Sequence, residues 1–415
     1  MNKDEVDEFI RNKFAEYYRI QAPNIQPPSA IEKREFGFIL FKERMMIRHK
    51  SFRNPVDLQQ YLVLTVPSDI YFSAAYYERP EESMENKGWI GADLIFDIDA
   101  DHIETRCKTE HDLWVCQSCG TLGKGRQPEF CPRCGSQKFE ERSWLCETCL
   151  EAAKTETLKL IDILQSDFGF SADDISVYFS GHRGYHVHIE NQIVQTLDQL
   201  ARKEIVDYVM GTGLNPRLHG LDERGWKKAP IVVGPDLHDP GWRGRIARGV
   251  YDFLMNITPE QFENSPDLKR QAVDALIEHR DLILETWGKR GPWDVVKGLG
   301  IKTWEKVVAQ AIKLQAANVD TVVTTDIHRL IRLPKTLHGK TGLKVTEISV
   351  KQLENFDPLS EAVAFNTGML TVKVIEAHRF RIGNEVYGPY REQILELPTA
   401  AAMLLLCKKV ANIVR

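Results

Sequence analysis

The chain has 415 residues, 43% of them hydrophobic and 27% charged, with a formal net charge of −5. That length exceeds one ordinary core and predicts on the order of two or three units. The composition excludes a disordered chain, and no run approaches the ~20 apolar residues that a membrane helix needs. The opening Met1-Asn2-Lys3-Asp4-Glu5-Val6-Asp7-Glu8 is acidic and lacks an apolar signal core, so a soluble, intracellular protein is expected. Residues 4–18 carry Val6, Phe9, Ile10, Phe14 and Tyr17-Tyr18 at helical spacing, and residues 22–29 form a Pro-rich loop. Residues 35–41 and 45–48 read as a hairpin turning near Lys42, Glu43 and Arg44, then 57–64 as a helix and 70–77 as a strand. Leu94-Ile95-Phe96 leads as a buried strand into Asp97-Ile98-Asp99. Residues 151–168 predict a helix and 175–179 a strand. The stretch 197–314 is mainly helical, with Gly/Pro-rich loops near 212–244. Residues 321–325 and 343–350 read as strands, 327–331 as helix, and 392–414 as a helical tail.

Seven of the eight cysteines lie between Cys107 and Cys149. In a chain without an export signal this clustering points to metal rather than disulfides. Cys116, Cys119, Cys131 and Cys134 form two Cys-x-x-Cys knuckles with zinc-ribbon spacing, each followed by a glycine, Gly120 or Gly135, that suits a turn needing positive φ. Cys107, Cys146 and Cys149 remain, and His111 or His102 could complete a second tetrahedral set; His111, four residues after Cys107, is the better ligand. Cys407, in Leu404-Leu405-Leu406-Cys407, reads as core.

Asp97 and Asp99 stand two apart on a strand and so point to one face. Such close like charges are tolerable with a divalent cation between them, although a lone Asp-x-Asp is more often merely solvated. Ser180-Gly181-His182-Arg183-Gly184-Tyr185-His186 follows a strand and brings hydroxyl, guanidinium and imidazole donors near two glycines, a set suited to a triphosphate without being a Walker loop. Asp326 is expected to close a strand, either as a helix cap or as a third metal carboxylate. Arg329 and Arg332 would share one turn of the following helix. Arg243, Arg245 and Arg248 fit either a nucleic-acid backbone contact or the start of an amphipathic helix.

In this order, the segments Arg34-Glu35-Phe36-Gly37-Phe38, Ile47-Arg48-His49-Lys50-Ser51-Phe52, Arg79-Pro80, Phe96-Asp97-Ile98-Asp99, Ser180 through His186 and Asp326 through Gly342 resemble the small, catalytic subunit of archaeal and eukaryotic DNA primases. His182 and the segment Gly241-Trp242-Arg243-Gly244-Arg245-Ile246-Ala247 look archaeal. The resemblance implies an α/β (α+β) fold, a mixed-sheet catalytic core with an inserted zinc-binding module and a helical insertion. It divides the chain into core 1–101, zinc-binding insertion 102–150, core 151–197, mainly helical insertion 198–315, and core with a C-terminal helix 316–415. It implies Asp97, Asp99 and Asp326 as catalytic ligands of Mg²⁺ or Mn²⁺. Ser180, His182, Arg183, His186, Arg332 and His338 would bind the nucleotide phosphates, with Glu35, Arg48, Arg329 and Lys340 as further candidates. The family's zinc site maps onto Cys107, Cys146 and Cys149, and the ribbon at 116–134 looks inserted within it, giving one or two structural zinc ions.

The activity so implied is synthesis of short RNA or DNA primers on single-stranded DNA by two-metal nucleotidyl transfer from NTPs or dNTPs, with a large subunit as partner and no membrane. Two other readings compete: a repair-type primase-polymerase, and a non-enzymatic zinc-ribbon subunit that binds nucleic acid. The ribbon reading explains the cysteines but not the ordered carboxylates and cations.

Overall fold

The computed structural model describes residues 3–42, 45–226, 229–256, 258, 270–290, 292–296 and 299–414. The chain divides into two compact units, one of Met1–Leu158, Ser171–Lys203 and Asn318–Arg415, the other of Lys159–Phe170 and Glu204–Ala317. Among the described residues no helix is long and apolar enough to cross a membrane.

The first unit begins with the helix Lys3–Gln21, whose Val6, Ile10, Phe14 and Tyr18, four apart, are all buried and form one apolar stripe. Two four-stranded sheets follow. The first is built from β1 (Phe36–Ile39), β2 (Met46–Lys50), β3 (Asp69–Ser73) and β7 (Leu330–Arg332), in the order β7-β3-β1-β2. The turn between β1 and β2 includes residues 43 and 44, which lie outside the described residues. The helix Pro55–Thr65 is started by Asn54, whose side chain accepts from Asp57 N, and by Pro55 at the first helical position. The second sheet contains β4 (Leu94–Asp99), β5 (Ile175–Phe179), β6 (Gly184–Ile189) and β8 (Thr346–Ile348), in the order β8-β5-β6-β4. Every ladder in these two sheets is antiparallel, so the α+β fold is built on antiparallel rather than mixed sheets. The central strand β6 is buried along its whole length, which places its imidazoles inside the protein.

Four expectations are corrected here. Thr321–Thr325 is a short helix, because the Asp320 side chain accepts from Val322 N and Val323 N and so caps it. Residues 327–331 are not helical: Leu330, Ile331 and Arg332 pair with Ser73, Phe72 and Tyr71 at the open edge of β3. The stretch 70–77 breaks at Ala74 into β3 and a separate strand, Ala75–Tyr77, paired with Trp89–Ala92. In the tail only Thr399–Cys407 is helical; Tyr390–Pro398 and Ala411–Ile413 flank Met369–Ala377 in a three-stranded sheet. Cys407 is buried on that helix.

In the second unit the helices Gly241–Met255 and Ile301–Gln315 enclose Trp242, Ile246, Val250, Leu254, Trp304, Val307 and Val308. The Gly/Pro-rich stretch read as loop contains a hairpin, Asp222–Trp226 with Ala229–Val233. Of the two readings of the arginine run, the amphipathic helix is the one adopted. Arg245 is buried and paired with Asp162 at 2.7 Å and Asp167 at 2.5 Å, Arg243 pairs with Asp239 at 3.0 Å, and Arg248 donates to the Leu237 carbonyl.

Candidate active site and metal centres

The antiparallel register of β6 on β4 sets Gly184 opposite Asp99 and His186 opposite Asp97. The loop Ser180–Arg183 is thereby held at the end of the strand that carries both carboxylates. Gly184 is required by close approach: a Cβ there would collide with the Ile98 carbonyl oxygen and stand 3.0 Å from Asp99 Cα.

Asp97 has its carboxyl pKa pushed up to about 7, first by burial and then by the like charges of Asp99 and Asp320. Asp99 is also pushed up by burial, against the pull of Arg183, His102 and Lys108. Asp320, missed in the sequence, donates its main-chain N–H to the Asp97 carbonyl at 2.8 Å, and its Oδ2 lies 3.9 Å from His102 Nε2. Asp326, expected as the third ligand, stands at the other end of the helix that Asp320 caps. It caps the far end of the helix Thr321–Thr325, about 9 Å along the axis at 1.5 Å per residue, and its Oδ1 accepts from His328 N at 2.9 Å. Asp320 stands at the helix end that abuts β4.

The basic groups surround this strand end. His186 Nε2 is 3.6 Å from Asp97 Oδ1, and its Nδ1 is buried with no hydrogen-bond partner. Arg329 and Arg332, although not on a helix, both lower the Asp97 pKa. Arg332 pairs with Asp69 at 2.5 Å and lies over the Tyr71 ring. The His338 ring stacks on His182 with centroids 5.1 Å apart, and its Nδ1 accepts from Lys340 N, which leaves Nε2 as the N–H of the neutral ring. Lys408, also missed in the sequence, donates to His182 Nε2 at 2.7 Å and to the Ser143 carbonyl at 2.9 Å. Burial, reinforced by neighbouring cations, holds His182, His186 and His338 well below the usual imidazole range. Burial, then Arg183 and Lys340, pushes Lys408 down to about 7. An assembly so rich in donors, with its imidazoles held neutral, favours a polyanionic ligand.

Ser180 Oγ accepts from His182 N and Gly184 N, both at 3.3 Å, leaving its own hydroxyl hydrogen free to donate. Arg183 departs from the expectation of a guanidinium open to phosphate. Its Nη1 donates to both Asp112 oxygens at 2.9 Å and its Nη2 to Asp101, and only Nε is without a partner. Glu35 and Arg48 make a different kind of site: Glu35 is fully buried and paired with Arg48 at 2.9 Å and Lys87 at 2.7 Å. His188, two residues from His186, packs against Phe72 and Tyr178 as a core imidazole.

Both cysteine sets converge. The side chains of Cys116, Cys119, Cys131 and Cys134 offer ligand atoms within 4.8 Å of one another, as do those of Cys107, His111, Cys146 and Cys149. The sulfur separations, 3.6 Å for Cys116–Cys134 and for Cys107–Cys149 and 3.7 Å for Cys119–Cys131, match the ~3.8 Å edge of a tetrahedron with ~2.3 Å zinc–sulfur bonds. Both groups therefore fit zinc. The knuckle glycines Gly120 and Gly135 each have φ +71 and donate to the carbonyls of Cys116 and Cys131.

The family model described as DNA primase small subunit matches residues 140–350. A DNA primase small subunit PriS of Nitrosopumilus maritimus is 32% identical over 413 residues, covering 100% of both chains. Those of Methanothrix thermoacetophila, 35% identical with 98% of both chains covered, and of Archaeoglobus fulgidus, 35% identical with 97% of this chain and 98% of that one covered, are similar in the same way. With the strand-end carboxylates, the loop that faces them and two sites fitted to zinc, these likenesses place the chain in the archaeal branch of the DNA primase small-subunit family.

Proposed function

We propose that template-directed nucleotidyl transfer takes place at the end of β4, with Asp97, Asp99 and Asp320 as the ligands of Mg²⁺ or Mn²⁺. Family membership makes the chain the catalytic subunit of a primase, a DNA-directed nucleotidyltransferase, and sets aside the non-enzymatic ribbon reading. The single observation that carries the site is the register of β6 on β4, which puts a donor-rich loop directly on the strand bearing two carboxylates of raised pKa.

The bound divalent ions would lower the pKa of the primer 3′-hydroxyl and offset charge on the departing pyrophosphate. Asp97 and Asp99, on one strand face, and Asp320, at the helix end beside them, would hold the ions. The incoming NTP or dNTP lays its phosphates against Ser180, His182, His186, Arg332 and His338. Lys340, Lys408 and Arg329 add positive charge around them, and Arg183 orients the loop from behind. These groups stabilise charge that develops on the transferring phosphoryl group, and no side-chain nucleophile takes part. Asp326 is replaced by Asp320 in this assignment, and Glu35 and Arg48 serve the fold. A large subunit and a single-stranded DNA template are the proposed partners, with replication sites inside the cell as the proposed location.

The test is incorporation of labelled nucleotide on a single-stranded template with and without Mg²⁺ or Mn²⁺. Asp97→Asn and Asp99→Asn should each lower incorporation at least ~10³-fold while leaving the fold intact. Near-normal rates in both variants would refute the site.

A further inference from the structure

One carboxylate stands between the outer thiolate group and the loop that faces the phosphates. His111 turns Nε2 toward the sulfurs, 3.7 Å from Cys149 Sγ, and Nδ1 toward Asp112 Oδ1 at 2.8 Å. Asp112 also accepts from the Trp144 main-chain N–H at 2.9 Å and from Arg183 Nη1 on both of its oxygens. Arg183 donates onward to the Trp144 carbonyl at 3.2 Å and to Asp101, two residues beyond Asp99. Its Nε–H is buried without a partner, so the guanidinium is fixed on the zinc side and unsatisfied on its remaining edge.

We propose that Asp112 is a positioning residue that couples metal occupancy of the Cys107, His111, Cys146 and Cys149 site to the orientation of Arg183, and through it to nucleotide affinity. The inference rests on the nucleotide-site reading given above. An imidazole that offers Nε2 to a metal carries its proton on Nδ1, and a carboxylate oxygen beside Nδ1 fixes both tautomer and ring. With His111 locked in this way, Asp112 has one position, and its oxygens present a fixed acceptor to Arg183 Nη1. When the metal leaves, the ring is free to turn. Asp112 then loses one of the anchors that aim the guanidinium. Among the described residues the ribbon sulfurs of Cys116, Cys119, Cys131 and Cys134 meet one another and the Thr121 hydroxyl rather than a bridging imidazole and carboxylate, so the ribbon metal should not matter to the nucleotide.

The experiment has two readouts on the full chain: equilibrium affinity for ATP in the presence of Mg²⁺, and the Arg183 guanidinium ¹⁵N resonance, assigned by its loss in Arg183→Lys. Asp112→Asn should retain two zinc ions by metal analysis, lose about tenfold in ATP affinity, and shift or broaden the Arg183 resonance. Combined with Arg183→Ala it should cost no more than Arg183→Ala alone, because both variants break the same link. Full metal content with unchanged affinity and an unchanged resonance would overturn the proposal, as would fully additive losses. Should Asp112→Asn lose metal, the wild-type chain titrated with a chelator decides. The Arg183 signal and ATP affinity must change with the outer zinc and recover when zinc is returned, and indifference to that zinc overturns the coupling. A wild-type chain that binds no ATP would refute the nucleotide site itself, while the resonance would still decide the coupling.

Discussion

Glu35 and Asp97 are both largely buried carboxylates in the same unit, and their surroundings treat them in opposite ways. Glu35 is met by Arg48, Lys87 and the His49 N–H, which hold its pKa below the ordinary value although burial alone would raise it. Asp97 is buried beside Asp99 and Asp320, with the neutral His186 3.6 Å away, and its pKa rises to about 7 although Arg329 and Arg332 pull it down. A carboxylate saturated by the protein's own cations holds the fold together. One that is buried among its own kind is stabilised when a cation arrives from outside.

The strongest way to break this contrast is to remove each carboxylate. Asp97→Ala should abolish nucleotide incorporation, a loss of at least ~10³-fold, with little change in denaturant midpoint. Glu35→Gln should do the reverse: it leaves Lys87 buried with a lost partner and should cost about 3–5 kcal/mol of stability, while the protein that remains folded keeps its metal-dependent activity. Equal stability losses in the two variants would erase the distinction.

A smaller effect is in the pH dependence. The folded pKa of Asp97, about 7, lies above its unfolded value, so the folded chain binds more protons between about pH 4 and pH 7. Without divalent ions, the contribution of Asp97 to stability is therefore present below pH 4 and lost as pH rises through 7. The loss should be about 2 kcal/mol after allowance for partial exposure. Thermal unfolding with and without Mg²⁺ should show ion stabilisation that is greater at pH 7.5 than at pH 5; equal stabilisation at both would contradict the raised pKa. The smallest effect belongs to the ribbon. Cys134→Ser should lower metal content from two zinc ions to one and change ATP affinity less than about twofold, since Cys134 is exposed and its sulfur meets Cys116 rather than the Asp112–Arg183 link. A tenfold loss would show that the ribbon supports the site directly.

Much of this site is legible in the sequence. The pattern Leu94-Ile95-Phe96-Asp97-Ile98-Asp99 marks a strand that leaves the core, and Cys-x-x-Cys spacing together with a histidine four residues after Cys107 led to both metal groups, His111 included. In the stretch 320–332 the expected elements differ from the observed ones because local preference and tertiary context disagree there. Thr321, Val322, Val323, Thr324 and Thr325 favour strand by side-chain shape, yet the Asp320 cap and packing beside β4 make them helical. Ile327, Leu330 and Ile331 have helical spacing, yet the open edge of β3 recruits Leu330–Arg332 as a strand. That double inversion is why the sequence points to Asp326 while the proposed assignment takes Asp320. Lys408 carried no local signal at all, being distant in sequence from the loop it meets, and the pairing of Arg183 with Asp112 depends on a contact 71 residues apart.

The third ligand is therefore decided by which end of the five-residue helix Thr321–Thr325 would face the ions. Asp320→Asn and Asp326→Asn should be compared for Mg²⁺-dependent incorporation on a single-stranded template, with folding verified for each. The predicted result is loss of at least ~10³-fold in Asp320→Asn and near-normal incorporation in Asp326→Asn. An active Asp320→Asn beside an inactive Asp326→Asn would contradict the assignment.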